Sequence, residues 1–182
     1  PAKGAADVWS YLDARDAAGR LLWRTTSADT GAPAGTVVES VDAGPWGAVV
    51  SGRVTTTIDD DHSSLGGSDA WVRRYAPDGT VEWTVQDGTT ADDTVAGAVV
   101  VDDAVVLAMT GTPAEPTAQN QQLLRSYALD SGDPREPGTF ELERRGVVTA
   151  VAAWGSDVLV GAASEGTVLV RVAVPGLVTT WS

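Results

Sequence analysis

A chain of 182 residues with no Cys, 7 Trp, 20 Gly and a formal net charge of -13 is long enough to bury a core as one domain. The missing Cys excludes a disulfide scaffold and any thiolate metal site. The negative balance argues against nucleic acid, whose phosphates it repels, and against anionic membrane surfaces. No run approaches the roughly 20 apolar residues of a membrane helix, so no membrane span is expected.

Val and Ala dominate the apolar residues, and branching at Cβ suits a pleated, half-buried surface. The chain starts at Pro1 with neither an initiator Met nor a signal-like segment, and it reads as a mature or excised piece. An acidic, Cys-free chain rich in Thr, Ser and Gly points to an extracytoplasmic setting, secreted or in the cell envelope.

In chain order, the first elements are Asp7–Ala14 (DVWSYLDA) and Gly19–Trp23 (GRLLW), two strands around a Gly-bearing turn. A different pair follows, Thr36–Asp42 and Gly47–Gly52, Val-rich and closed by a tight turn. The polar stretch from Ile58 to Ser64 then leads to Asp69–Ala76 (DAWVRRYA) and Asp78–Trp83 (DGTVEW), with Asp78-Gly79 as the clearest hairpin signal. The second kind of pair returns as Val95–Asp102 with Ala104–Gly111, and the first as Leu123–Asp130 with Gly138–Leu142. Val147–Trp154 with Asp157–Gly161, then Val168–Val174 with Leu177–Trp181, complete the series.

Strands are predicted over about 36–42, 47–54, 69–76, 80–86, 94–102, 104–110, 122–129, 139–144, 147–153, 157–163 and 166–174, with almost no helix. A period of roughly 45–60 residues with four strands is that of a β-propeller blade. The fold class expected is therefore all-β, a β-propeller of four-stranded antiparallel blades forming one domain over 1–182. Its units are an outer half-blade at about 7–25 and full blades at about 36–86, 94–144 and 147–181, an incomplete ring within this chain. Within each blade the Val-rich pair lies inside and the alternating pair outside. In the outer pair, Trp71, Arg73 and Tyr75 share one face, opposite Val72 and Arg74. Further blades or a second chain are needed to close the ring, because the outer pair at 7–25 has no inner neighbour.

The segment Gly66-Gly67-Ser68-Asp69-Ala70-Trp71-Val72, followed by Pro77-Asp78-Gly79, Trp83, Asp92-Asp93 and the run Val99–Asp102 to Gly111, resembles the bacterial β-propeller repeat of SBBP type. The stretch Leu12–Ala14 to Gly19–Trp23 is also similar to the PQQ-like repeat of eight-bladed propellers. These resemblances imply a fold and not an activity. A quinoprotein dehydrogenase, the enzyme closest to the second resemblance, uses more blades and often a vicinal disulfide, neither of which this chain provides.

His62 is the only histidine, and it lies beside Asp and Ser on one polar loop. Triad members converge from separate segments onto rigid elements, so no catalytic site is expected and the protein is read as no enzyme. Asp59, Asp60 and Asp61 are the candidate ligands for Ca²⁺, a hard cation that takes several oxygens. Their consecutive spacing fits a solvated loop better, so no cofactor is expected beyond that candidate. An Asp in the Asp92-Asp93 pair is expected to accept backbone N–H bonds in a turn. Trp9, Trp23, Trp71 and Trp83 fall at matching positions and are expected to pack between blades. Trp46 and Trp154, near the turns of the inner pairs, are the candidate ligand-binding aromatics.

The function expected is that of a non-catalytic extracytoplasmic interaction or scaffold module, with a protein or carbohydrate partner. The alternative is an accessory propeller domain of a larger secreted enzyme whose catalytic residues lie elsewhere.

Overall fold

The computed structural model describes residues 11–26, 29–115, 119–141, 146–163, 167–174 and 178–181. Among these there is no helix, and the chain forms four antiparallel sheets. The first is a pair, β1 (Tyr11–Arg15) and β2 (Leu21–Thr26). The second holds β3 (Val37–Gly44), β4 (Gly47–Val54), β5 (Asp69–Tyr75) and β6 (Val81–Asp87). The third holds β7 (Asp92–Val101), β8 (Ala104–Thr112), β9 (Gln121–Ala128) and β10 (Pro134–Glu141). The fourth holds β11 (Val147–Trp154), β12 (Asp157–Ala163), β13 (Thr167–Ala173) and β14 (Val178–Trp181). Each four-stranded sheet is a plain meander, with strands hydrogen-bonded in chain order. Trp9 lies outside the described residues.

The three meanders share their irregularities. Each first strand carries a bulge, between Val38 and Ser40, between Val95 and Gly97, and between Val148 and Ala150. Each bulge falls the same distance before a two-residue turn, closed by Gly44 with Gly47, Val101 with Ala104, and Trp154 with Asp157. The first turn residue has positive φ in the last two, Asp102 at 53° and Gly155 at 61°, as tight hairpins demand. An extra residue bends a strand and sharpens its twist, so a shared bulge gives the three first strands one shape.

In the second and third sheets the middle strands are apolar on both faces, and alternation sends their side chains to two different cores. Ala48, Val50, Trp71 and Tyr75 of the second sheet pack toward β1–β2, where Leu12 meets them, while Val49, Val72 and Trp83 pack toward the third sheet. Leu107, Met109 and Leu123 of the third sheet meet that second set, while Val106, Ala108 and Leu124 face Val158, Val160, Val170 and Val172 of the fourth. The strand β7 packs against β3 and β4, and β11 against β7, so the first strands of successive sheets lie together. Polar bonds join them. The Ser40 hydroxyl accepts from the Ala98 N–H at 3.1 Å, and the Asp42 carboxylate from the Val100 N–H at 2.8 Å. The Thr110 hydroxyl accepts from the Val148 N–H at 2.9 Å. These N–H groups belong to edge strands, and a buried N–H needs a partner.

At the outer side, successive sheets are clasped by tryptophan. Trp23 of β2 donates from its indole N–H to the Pro77 carbonyl at 2.9 Å, and Trp83 of β6 does the same to Leu129 at 2.9 Å. Each ring lies over a glycine in the next sheet's outer turn. A Cβ on Gly79 would come within 2.7 Å of the Trp23 ring, and one on Gly132 within 2.9 Å of Trp83. Both glycines also have positive φ, 89° and 75°. Trp23 further stacks on Tyr75, with ring centroids 6.2 Å apart.

One expected turn is corrected. The sequence pattern begins the second unit of this pair at Gly138, with strand β10 over 139–144. The hydrogen bonds from Gly132 N to Ala128 O and from Ala128 N to Asp133 O close the turn earlier, and β10 starts at Pro134. The register then shifts between Pro134 and Thr139, absorbing the Arg-Glu-Pro-Gly insertion that imitates a turn. Positions 142–144 of the expected strand lie outside the described residues.

The clasp gives a test. The Leu129 carbonyl also accepts from Arg74 at 2.9 Å, so Trp83→Phe leaves that carbonyl partnered and should cost about 1 kcal/mol. Trp83→Ala, which empties the outer end of the shared core, should cost about 3–5 kcal/mol. Urea denaturation of both variants measures the difference; equal losses would show that the indole ring itself contributes nothing to the clasp.

Candidate functional site

Between β1–β2 and the second sheet lies a cleft of about 430 Å³, measured out to its open mouth. Alternation along β5 turns Trp71, Arg73 and Tyr75 toward it, and Leu12, Val38 and Ile58 complete the apolar wall. The face shared by Trp71, Arg73 and Tyr75 is the one read from the sequence. Trp71 is 4% exposed, yet its indole N–H has no hydrogen-bond partner. Arg73 is 3% exposed. It donates from Nε to the Thr84 hydroxyl at 2.8 Å and approaches the Asp59 carboxylate at 3.7 Å. The cleft thus offers an apolar wall and one unused donor, which suits an apolar group carrying a carbonyl oxygen.

The β4–β5 connection closes one side of the cleft. Ile58 is fully buried, and its N–H donates to the Gln86 side-chain oxygen at 2.7 Å. Leu65, the apolar residue of the polar loop, is exposed instead. Asp59 is committed within the protein: its carboxylate receives the Asp61 N–H at 3.1 Å, faces Arg73 and pairs with His62 Nδ1. His62 Nε2 lies 3.2 Å from the Thr84 carbonyl. Both ring nitrogens therefore face a carboxylate and a backbone carbonyl rather than a serine hydroxyl. Asp60 and Asp61 point to solvent. Among the described residues, no cluster of three or more His, Asp or Glu is arranged to hold a metal ion.

The two candidate aromatics occupy different environments. Trp46 folds back onto the core shared by the second and third sheets, and its carbonyl accepts from Arg74 at 3.2 Å. Trp154 is 51% exposed at the end of β11, with the Arg171 guanidinium 5.0 Å from its ring centroid. They are not at equivalent places: Trp46 is the second residue of its turn, while Trp154 is the last residue before its own.

Two buried aspartates fix the connections at the outer end of the second sheet. Asp69 accepts from the Leu65 N–H at 2.9 Å, the Gly66 N–H at 3.0 Å and the Gln86 amide at 2.7 Å. Asp93 accepts from the Thr89 N–H at 2.7 Å and the Thr89 hydroxyl at 3.0 Å, the turn role expected for that pair of aspartates. A Cβ on Gly88 would meet both carboxylates, at 2.5 Å from Asp93 and 3.2 Å from Asp69. Nearby, Asp87 accepts from the Tyr127 hydroxyl, and Arg125 lies 3.5 Å from it. Burial, and then the Asp87 carboxylate, hold the Tyr127 phenol far above its ordinary value. Sequence reasoning missed Arg73, Gln86 and Tyr127 as network members. The available signal was their placement: Arg73 with Tyr75 in β5 and Arg125 with Tyr127 in β9 have the same spacing.

Compared with known families and curated proteins, the chain matches no family model and no curated sequence.

The aspartate pair makes a pH prediction. Burial, reinforced by the Asp69 and Asp87 carboxylates, pushes the Asp93 carboxyl above its ordinary 3.8, against the pull of its Thr89 bonds. A folded pKa above the unfolded one favours the protonated form on folding. The contribution of Asp93 is therefore full below the unfolded value and declines as pH rises through the folded one. Asp93→Asn keeps an acceptor for Thr89 and removes that decline. Its stability relative to the parent should grow as pH rises through and above the ordinary carboxylate value in denaturation series; a constant difference would show that folding does not raise the Asp93 pKa.

Proposed function

We propose that this chain is a non-catalytic interaction or scaffold module of β-propeller type, working outside the cytoplasm and completed by further β-sheet units. The observation that supports this reading is the stacking of three meanders that share a bulge position, a turn and adjoining first strands. Sheets of one shape, laid face to face with their first strands together, are how propeller blades gather about an axis. The resemblance of Gly66–Val72 and Asp92-Asp93 to the SBBP-type repeat agrees with it, since Asp69 and Asp93 are the residues that anchor the two connections. The buried polar groups support it as well. Asp69, Asp93, Arg73 and Gln86 are committed to loops and neighbouring strands, which is the work of structural groups. A partner would be met on the turns and open faces, where Trp154 presents an exposed ring beside Arg171. Aromatic and Arg side chains anchor protein interfaces more often than other surface residues.

Light scattering and negative-stain electron microscopy of the 182-residue chain test the proposal. Sheets set about a common axis, as a partial ring in the lone chain, are expected. A linear stack of sheets without an axis would overturn it.

A further inference from the structure

The second and third sheets can be superposed residue by residue through their shared bulges. Ser40 corresponds to Gly97, so Val38 corresponds to Val95 and Val41 to Ala98. In the third sheet these positions are covered: Val95 packs into the core and Ala98 is 2% exposed, beneath β3 and β4. In the second sheet the same positions are open, with Val38 at 44% and Val41 at 55% exposure. The sheet that faces them consists of β1 and β2 alone. These are the counterparts of β5 and β6, as their Trp–glycine clasps show. Each of β5, β9 and β13 has a strand on its other side (β4, β8 and β12), whereas among the described residues β1 pairs with β2 only. The open valines, the cleft and the edge of β1 that no described strand pairs are thus one continuous surface, the inner half of an interface whose outer half is already built.

We propose that this surface is the seat of a β-hairpin from polypeptide outside residues 11–181, whose second strand adds antiparallel to β1 and whose first strand covers Val38 and Val41. The inference rests on the module reading above and names its partner. The counterparts specify the hairpin's chemistry. It is rich in Val, Ala and Gly, has a two-residue turn, and carries a hydroxyl or carboxylate on its first strand, as Ser40 and Asp42 reach the Ala98 and Val100 N–H groups. Its backbone carbonyls supply the acceptor that the Trp71 indole lacks. A second copy of the chain does not fit this role. Its own hairpins β3–β4, β7–β8 and β11–β12 are each held in a complete sheet by a third strand. Strand addition of this kind takes its affinity from main-chain bonds and its selectivity from alternate side-chain pockets.

The test adds a synthetic peptide of residues 36–54, the chain's own covering hairpin, to the full chain and follows amide exchange by NMR. Binding should slow exchange in β1 and at Val41 by at least about tenfold and leave the fourth sheet unchanged. Val41→Asp, a change at an exposed position, should abolish the effect, and a scrambled peptide should have none. No slowing in β1 would overturn the proposal. So would slowing that grows with protein concentration in the absence of peptide, since a second copy would then cover the face. Sheets set about an axis without a peptide effect would overturn the hairpin alone. A peptide effect on a linear stack of sheets would overturn the module reading and leave the docking surface standing.

Discussion

The second and third sheets in this chain are apolar on both faces, and the rest of the structure follows from that constraint. A sheet with one wet face can stand on a single core. A sheet such as β7–β10, with Leu107 and Met109 on one side and Val106 and Ala108 on the other, needs a neighbour on each. Stacking is therefore the way such units become stable, and the ends of a stack are where the difficulty collects. The second and third sheets settle it by facing each other through Val49, Val72, Leu107 and Met109. The second sheet meets it only in part, because β1–β2 covers its outer half.

Stacking alone would allow the sheets to slide, and two sets of directional contacts prevent it. On the outer side, an indole donates to a carbonyl of the next turn while its ring lies on a glycine too close for any Cβ. On the inner side, Ser40, Asp42 and Thr110 accept from N–H groups of the neighbouring edge strands. Each bond is modest in net energy, but each leaves a buried polar group unpaired if the register slips. The bulges add to this by fixing the curvature of β3, β7 and β11 alike. Gly97 sits at the crossing, where a Cβ would meet Ser40 on one side and Val151 on the other, both at 3.2 Å.

Much of this was legible in the residues. Val-rich runs mark the inner strands, Asp78-Gly79 marks the β5–β6 hairpin, and period-two patterning in DAWVRRY assigns Trp71, Arg73 and Tyr75 to one face. The misplaced β9–β10 turn shows where the reading fails. Pro137-Gly138 carries the chemistry of a turn, but Gly132 is the residue that Trp83 requires. A constraint from another sheet cannot be seen in the local pattern. The same holds for the cleft. Trp71 reads as packing from its position alone, and its unpartnered indole N–H sets it apart from the clasping Trp23 and Trp83 only in the structure. Trp46 and Trp154 look equivalent because both stand near a turn. A difference of two positions along the turn is enough to send Trp46 onto the core and leave Trp154 half exposed.

The distribution of charge completes the argument. A chain with a net charge of -13 would be expected to keep its carboxylates in water, yet Asp69 and Asp93 are fully buried. They are buried at the long β4–β5 connection within the second sheet and at the β6–β7 connection, where the chain leaves that sheet for the next. A loop there exposes N–H groups that no strand can satisfy, and a carboxylate is the acceptor able to take several at once. Asp69 takes two backbone N–H groups and an amide, and the backbone of Ser68 is tied to Asp93 by an N–H to carbonyl bond of 2.7 Å. The two connections are thereby locked to each other as well as to their strands. The electrostatic cost, burial first and the neighbouring Asp69 and Asp87 carboxylates after it, is the raised pKa of Asp93. That cost is tolerable because the alternative is a set of unpaired N–H groups at the corner that determines where every later sheet begins.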